Sequence, residues 1–509
     1  VDKALSRLKE LDTEMNLLSN VTALLGWDQE TYMPPGGLDS RGEQSALMEG
    51  IVHDRAMSPE IPALLKDLGV SDASPSGDPS LPEEERLYLR AFYRGWSREV
   101  KLPGDFVREK ARAVSHSQAA WVQARKANDF SAFEPHLSSM VALAKREAGY
   151  YGYQARPYDG LLDLYEPGLT QAGLSDVFAR LKAGLSSLLS RIGSRPQIDD
   201  SILHRPCPAD KQEAFSRKLM PLLGFDGESG RLDRSAHPFT TTIGHGDVRI
   251  TTRYLEDFFA SSISSTIHET GHALYELGLP AAKKRLAVAE AASMAVHESQ
   301  SRFWENVVGR SLPFWKGQFP ALKADLAPVL DGVDVESFYR AFNKVSPGLI
   351  RVDSDEVGYS LHVVLRFELE AALMSGALAV EDLPSAWNTA MKAGPGIEPP
   401  DDTNGCLQDI HWSIGLIGYF PSYALGNLYA GQFSAAMRRD LGPLETDMEA
   451  GRFGRILEWL RKNIHSKGSS RTPGELLREV TGADLDPAHF LRYLEGKYSG
   501  IYGFSPAAV

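Results

Sequence analysis

The sequence predicts a mainly α-helical protein, one large helical body split by a deep groove, with one small β-sheet or hairpin beside a metal-binding helix. Three observations lead to this class. Apolar residues recur at helical spacing along most of the chain. Only residues 238–254 show the alternation of paired strands. That stretch runs directly toward His268-Glu269-Thr270-Gly271-His272.

The first helix is marked by Leu5, Leu8, Leu11, Met15 and Leu18, and similar patterning continues to about Tyr150. Three segments rich in Ser, Pro, Asp or Gly, residues 70–82, 193–210 and 394–405, read as surface loops. None is long or biased enough to be a linker between independent domains. A single domain over 1–509 is therefore expected: a helical part of about 1–200 forms one groove wall, and about 201–509 is the catalytic part. The strands are Thr240 to Ile243 and Val248 to Thr252, joined through Gly244-His245-Gly246-Asp247.

Composition narrows the function classes. A formal charge of −13 speaks against nucleic acid, which is bound through clustered Lys and Arg. The uncharged stretch 412–437 is broken by Gly415, Gly418, Pro421 and Gly426 and is too polar for a membrane span, so it reads as a buried cleft wall. Two cysteines, Cys207 and Cys406, lack metal-ligand spacing and suit a reducing cytoplasm. The charged start shows no signal peptide, although a chain opening at Val1 leaves an earlier segment open.

The metal motif rests on helix geometry. Residues four apart share one face, so His268 and His272 can aim two imidazoles at one point, with Glu269 placed to hold a water. A catalytic zinc takes three protein ligands and keeps a position open. Glu276 is excluded, because His268 to Glu276 spans about 12 Å of helix rise. The next helix, roughly 290–308, offers Glu298, with Glu290 and Glu305 as rivals.

Six short motifs in chain order resemble the thermostable carboxypeptidases of the carboxypeptidase Taq type. They are Trp27 to Pro35; His237-Pro238-Phe239; Asp247 to Thr251; His268 to Gly278 with His297-Glu298-Ser299-Gln300; Ile350 to Asp355; and Gly405 to Trp412. Ser354 stands where the family pattern has Ala. The resemblance implies Glu298 as third ligand, a grooved helical fold related in plan to neurolysin and angiotensin-converting enzyme, a homodimer, and a zinc site that cobalt can also fill.

The expected chemistry is zinc-assisted removal of C-terminal residues from peptides with a free C-terminus. Glu269 is the expected general base. Tyr423 is the first choice to stabilise the oxyanion, and Tyr419 the second. Arg351, in a matched motif, is the expected fork for the substrate carboxylate, with Arg249 as runner-up. His237, His297 and His411 are candidates to meet substrate or orient a ligand. The rival readings are an endopeptidase or aminopeptidase with the same metal motif, and a non-catalytic zinc protein, which would have no use for Glu269.

Overall fold

A computed structural model describes residues 1–507 of the chain. Its N-terminal half is helical: α1 (Asp2–Thr31), α2 (Leu38–Ala56), α3 (Glu60–Asp67), α4 (Glu83–Lys101), α5 (Gly104–Ala127), α6 (Phe130–Tyr151), α7 (Pro157–Tyr165), α8 (Gln171–Gly193) and α9 (Ala209–Leu223). The three expected loops fall between helices. A separate apolar cluster, including Leu8, Leu11, Ile61, Leu65, Leu89 and Phe92, ties α1, α3 and α4 together and reaches Val288, far along the chain. By contrast α2 buries none of its side chains.

The expected hairpin is present as β2 (Thr240–Gly244) antiparallel to β3 (Asp247–Thr252). The sheet has a third strand that the pattern did not reveal, β1 (Gly230–Arg234), parallel to β3, giving the order β1-β3-β2. Its short run holds one apolar residue, Leu232. Asp233 beside it is buried only because Arg231 and Tyr32 hydrogen-bond to it. Tyr32 belongs to the turn after α1, so the N-terminal helix is stapled to the sheet edge.

The sheet feeds the metal helix α10 (Ala260–Gly278). This helix is deeply buried for one so rich in Ser and Thr, because its hydroxyls find partners. Ser262 bonds Gln212 (2.9 Å), Thr266 bonds Ser216 (3.1 Å), and Thr252 on β3 meets Ser265 (2.6 Å). The next helix starts later than the sequence suggests. Glu290 is extended and lies outside it; Ser293 caps α11 (Met294–Arg302) by accepting from the Val296 N–H. The helix then widens into a π-helical segment, Phe303–Gly309.

The chain continues through α12 (Leu312–Asp325), α13 (Val335–Phe342), α14 (Tyr359–Ser375), α15 (Leu383–Ala393), α16 (Pro421–Leu441), α17 (Glu445–Glu449), α18 (Gly454–Asn463), α19 (Pro473–Thr481) and α20 (Ala488–Tyr502). The uncharged stretch includes most of α16, which lies almost wholly inside the core. Small residues let α11 nest between its neighbours. A Cβ on Gly271 of α10 would come within 2.7 Å of Ser301 Cα, and one on Gly426 of α16 within 2.4 Å of Glu298 Cγ. No helix among the described residues is long and apolar enough to cross a membrane.

Candidate metal centre

His268 and His272 lie one turn apart on α10, and Glu298 comes from α11 across the close contact set by Gly271. One donor atom from each lies within 4.8 Å of the other two. Glu298 Oε2 is 3.4 Å from His272 Nε2 and 3.8 Å from His268 Nε2, so two rings and one carboxylate oxygen face a common point. Two imidazole nitrogens and a carboxylate oxygen are a donor set suited to a catalytic divalent cation.

The supporting groups fix how these donors are presented. His268 Nδ1 is 2.9 Å from Glu305 Oε2. An ionised carboxylate only accepts, so Nδ1 carries the proton and Nε2 is left free for a cation. Glu305, one of the rival third ligands, is therefore engaged by a donor histidine. Arg302 donates from Nε to Glu298 Oε1 (2.6 Å) and from Nη1 to Glu305 Oε2 (3.2 Å), leaving Glu298 Oε2 toward the histidines. Burial opposes charge on all these groups. Even so, Arg302 and His268 hold the Glu298 carboxyl well below its ordinary value, and Glu298 and Glu305 raise the pKa of His268. His272, desolvated and beside His297, is pushed down to about 3.

Glu276 is where helix geometry requires it, away from the donors. It pairs with His297 (2.8 Å), whose ring stacks on His272 at 4.4 Å between centroids. Glu290, the other rival, lies off the helix.

Glu269 is only 6% exposed, and its Oε2 accepts from the Thr240 hydroxyl at 2.6 Å. Burial raises its pKa, while His268 and the Thr240 hydrogen bond partly offset this. Thr240 is on β2, which explains why the hairpin immediately precedes the metal helix: it steadies the carboxylate. The sequence marks Thr240 as a strand residue and carries no sign of this contact.

The remaining candidates divide into three groups. Tyr423, Tyr419, His411 and Arg351 come together. His411 Nε2 is 3.2 Å from the Tyr423 hydroxyl, the Tyr419 and Tyr423 rings are 5.2 Å apart, and the Arg351 guanidinium lies 4.7 Å from the Tyr423 ring. Arg351 is almost fully buried and donates from Nε and Nη2 to Asp409 Oδ1 (3.1 and 3.0 Å) and from Nη1 to Tyr359 (3.3 Å). Asp409 also takes Arg366 Nε at 2.7 Å. Tyr359 joins this cluster to the metal ligands, since Arg302 lies 4.3 Å over its ring. Arg249 is elsewhere, on β3, paired with Asp247 through Nε and Nη2 (2.9 and 2.8 Å) and lying 4.3 Å over Trp27. His237 is exposed on the connection between β1 and β2. Asp409 lies inside the motif Gly405 to Trp412 but was given no role there, and Arg302, Tyr359 and Arg366 lie outside the matched motifs.

Comparison with known proteins gives the family and the fold. A model of the family described as carboxypeptidase Taq (M32) metallopeptidase matches residues 7–498. Thermostable carboxypeptidase 1 of Thermus thermophilus is 43% identical over 99% of each chain. Thermostable carboxypeptidase 1 of Pyrococcus furiosus is 38% identical over 94% of this chain and 95% of that protein. The crystal structure of an M32 carboxypeptidase from Deinococcus radiodurans superposes with a TM-score of 0.95 at 38% identity, covering 98% of this chain and 100% of the other.

Proposed function

The chain belongs to the carboxypeptidase Taq (M32) metallopeptidase family and is a metallocarboxypeptidase, and on that premise we propose how its own residues release C-terminal amino acids from peptides. Membership decides against the endopeptidase and aminopeptidase readings.

The observation that carries the reading is the placement of Glu269 beside the donor cluster His268, His272 and Glu298, with Thr240 holding its carboxylate. The donor set fits zinc, with cobalt as a substitute, and the cation when bound supplies a water of lowered pKa and a Lewis acid for the scissile carbonyl. Glu269 accepts a proton from the attacking water and passes it to the leaving amine. Tyr423 donates its hydroxyl proton in a hydrogen bond to the carbonyl oxygen as negative charge builds there, oriented by His411 and flanked by Tyr419.

Arg351 is the assigned partner of the substrate carboxylate. What supports it over Arg249 is company: its partner Tyr359 also carries Arg302, which bonds Glu298, whereas Arg249 rests on Trp27. His237 is assigned to the peptide upstream of the scissile bond, as its ring is exposed. The helices up to about residue 200 form one wall of the substrate groove. The enzyme acts as a homodimer in the cytoplasm; the buried free cysteines suit that compartment.

The test is time-resolved mass spectrometry of peptide pairs with metal-loaded protein. Free-acid peptides should shorten stepwise from the C-terminus while amidated twins persist. Internal cleavage, or equal attack on both, would overturn the assignment.

A further inference from the structure

Away from the metal centre, a cavity of about 460 Å³ opens between α4 and the segment joining α6, α7 and α8. Its helical wall carries Arg94, Arg98 and Lys101, which share one face of α4 because they stand at helical spacing. Two aspartates, Asp159 and Asp163, also line it. Taken as formal charges, the lining is nearly balanced; the hydrogen bonds show that the balance is not available to every cation.

Both aspartates are already committed. Asp159 Oδ1 accepts from Gln171 N (2.6 Å) and Oδ2 from Arg156 N (3.1 Å). Asp163 Oδ1 accepts from Gly168 N (2.8 Å), and its Oδ2 takes Arg98 Nη2 (2.7 Å). Arg98 further donates Nη1 to the Leu164 carbonyl (3.1 Å). One turn in the other direction, Arg90 is held by Glu475, through Nη1 and Nη2 at 2.8 Å each. Arg94 stands between these two satisfied arginines. Its guanidinium makes no hydrogen bond or ion pair among the described residues.

A half-buried guanidinium with five donors and no acceptor is an unfavourable arrangement for a protein to keep without a partner. Burial, and then repulsion from Arg98 and Arg90, lower the pKa of Arg94, and Asp163 and Glu290 offset this only in part. At the cavity mouth, Lys101 is exposed and has only a loose ion pair with Asp72, at 3.7 Å.

We propose that this cavity is a binding site for a small oxyanion, a carboxylate or a phosphate, seated on the free Arg94 fork with Lys101 at its mouth. A planar guanidinium matches two oxygens of either group, which is why the shared chemistry can be named from the side chains alone. The oxyanion completes the row of paired cations along α4 and removes the repulsion between Arg90, Arg94 and Arg98.

The test uses the full chain and two probes, inorganic phosphate and glutarate, at constant ionic strength made up with chloride. Binding is read by isothermal titration and by the rise in melting temperature that any ligand selective for the folded state produces. The wild-type protein should bind at least one probe; phosphate alone marks a free inorganic ligand, and glutarate alone marks a carboxylate donor. Arg94→Met should weaken binding by about tenfold or more, the loss expected when a charge-assisted hydrogen-bonding partner is removed. Arg94→Lys should recover part of it. Arg94→Met should also melt no lower than wild type in chloride, since it removes an unpaired, half-buried cation. Failure of both probes to bind wild type overturns the proposal, and so does binding that survives Arg94→Met unchanged.

Discussion

Arg302 Nε and Glu298 Oε1 are 2.6 Å apart, so one oxygen of the proposed third ligand is engaged by the protein before any cation is considered. The same guanidinium reaches Glu305, which holds His268. Arg302 thus orients two of the three donors through one rigid fork.

Replacing Arg302 by Met leaves the buried Glu298 without its guanidinium and Glu305 with only the longer pairing to Arg310, at 3.5 Å. Metal affinity should fall about 10- to 100-fold, the usual range when a group behind a ligand is lost. Arg302→Lys should restore only part, as a point charge cannot span both carboxylates. Chelator competition measures this, and unchanged affinity in Arg302→Met would sink the role.

Glu269→Gln should retain the metal and lose about 10²- to 10⁴-fold in kcat, because an amide cannot accept the proton of water. Metal analysis and kinetics on the same sample separate the two effects. A variant that loses its metal would make Glu269 a structural carboxylate.

Glu298→Ala should lower metal content and activity together, whereas Glu276→Ala should leave the metal in place. Glu276 bonds His297, not the donors, so its loss disturbs a neighbour of His272. The opposite pattern would mean that the third ligand is misassigned.

Arg351→Ala should lower kcat/KM on free-acid peptides by the equivalent of about 2–5 kcal/mol, since a buried carboxylate is left unpaired. Metal content should not change. Equal slowing of free-acid and amidated peptides would reduce Arg351 to a structural residue and move the search to Arg249.

Glu166 offers a test in stability. It is buried, and desolvation raises its pKa from the ordinary 4.5 to about 7 despite hydrogen bonds from Ser293, Tyr429 (2.8 Å) and the Ala295 N–H. The folded state therefore binds the extra proton between those values. Its contribution is full below pH 4.5 and is lost as pH rises through 7, by up to about 3 kcal/mol. Glu166→Gln should lack that fall. Chemical denaturation of both proteins from pH 5 to 8 checks it; parallel curves would refute the assignment.

The reach of the sequence followed the range of each interaction. His268 and His272 were legible because a helix fixes residues four apart. Glu298 was weighed against Glu290 and Glu305 because an acid near the right distance looks alike in one dimension. Only the packing of α11 on α10 separates a ligand from its support and from a residue before the helix. The hairpin was read from β-branched alternation, while β1 escaped because its buried Asp233 depends on Tyr32, which lies 201 positions earlier. Arg351 and Asp409 each stand in a matched motif, yet their pairing, and the contact of Arg351 with Tyr359, are properties of the fold.

The two glycine contacts on α11 set a manufacturing tolerance for the whole centre. Gly271 and Gly426, from two different helices, both press on the element that carries Glu298, and each gap is smaller than a methyl group. Neither residue is placed to meet a peptide. In a library of random variants they should nevertheless score among the least replaceable positions, indistinguishable from catalytic ones if activity alone is counted. Metal-binding measurements on a Gly426→Ala variant would tell the two kinds apart: the alanine displaces a ligand, and leaves Glu269 and its partner Thr240 as they were.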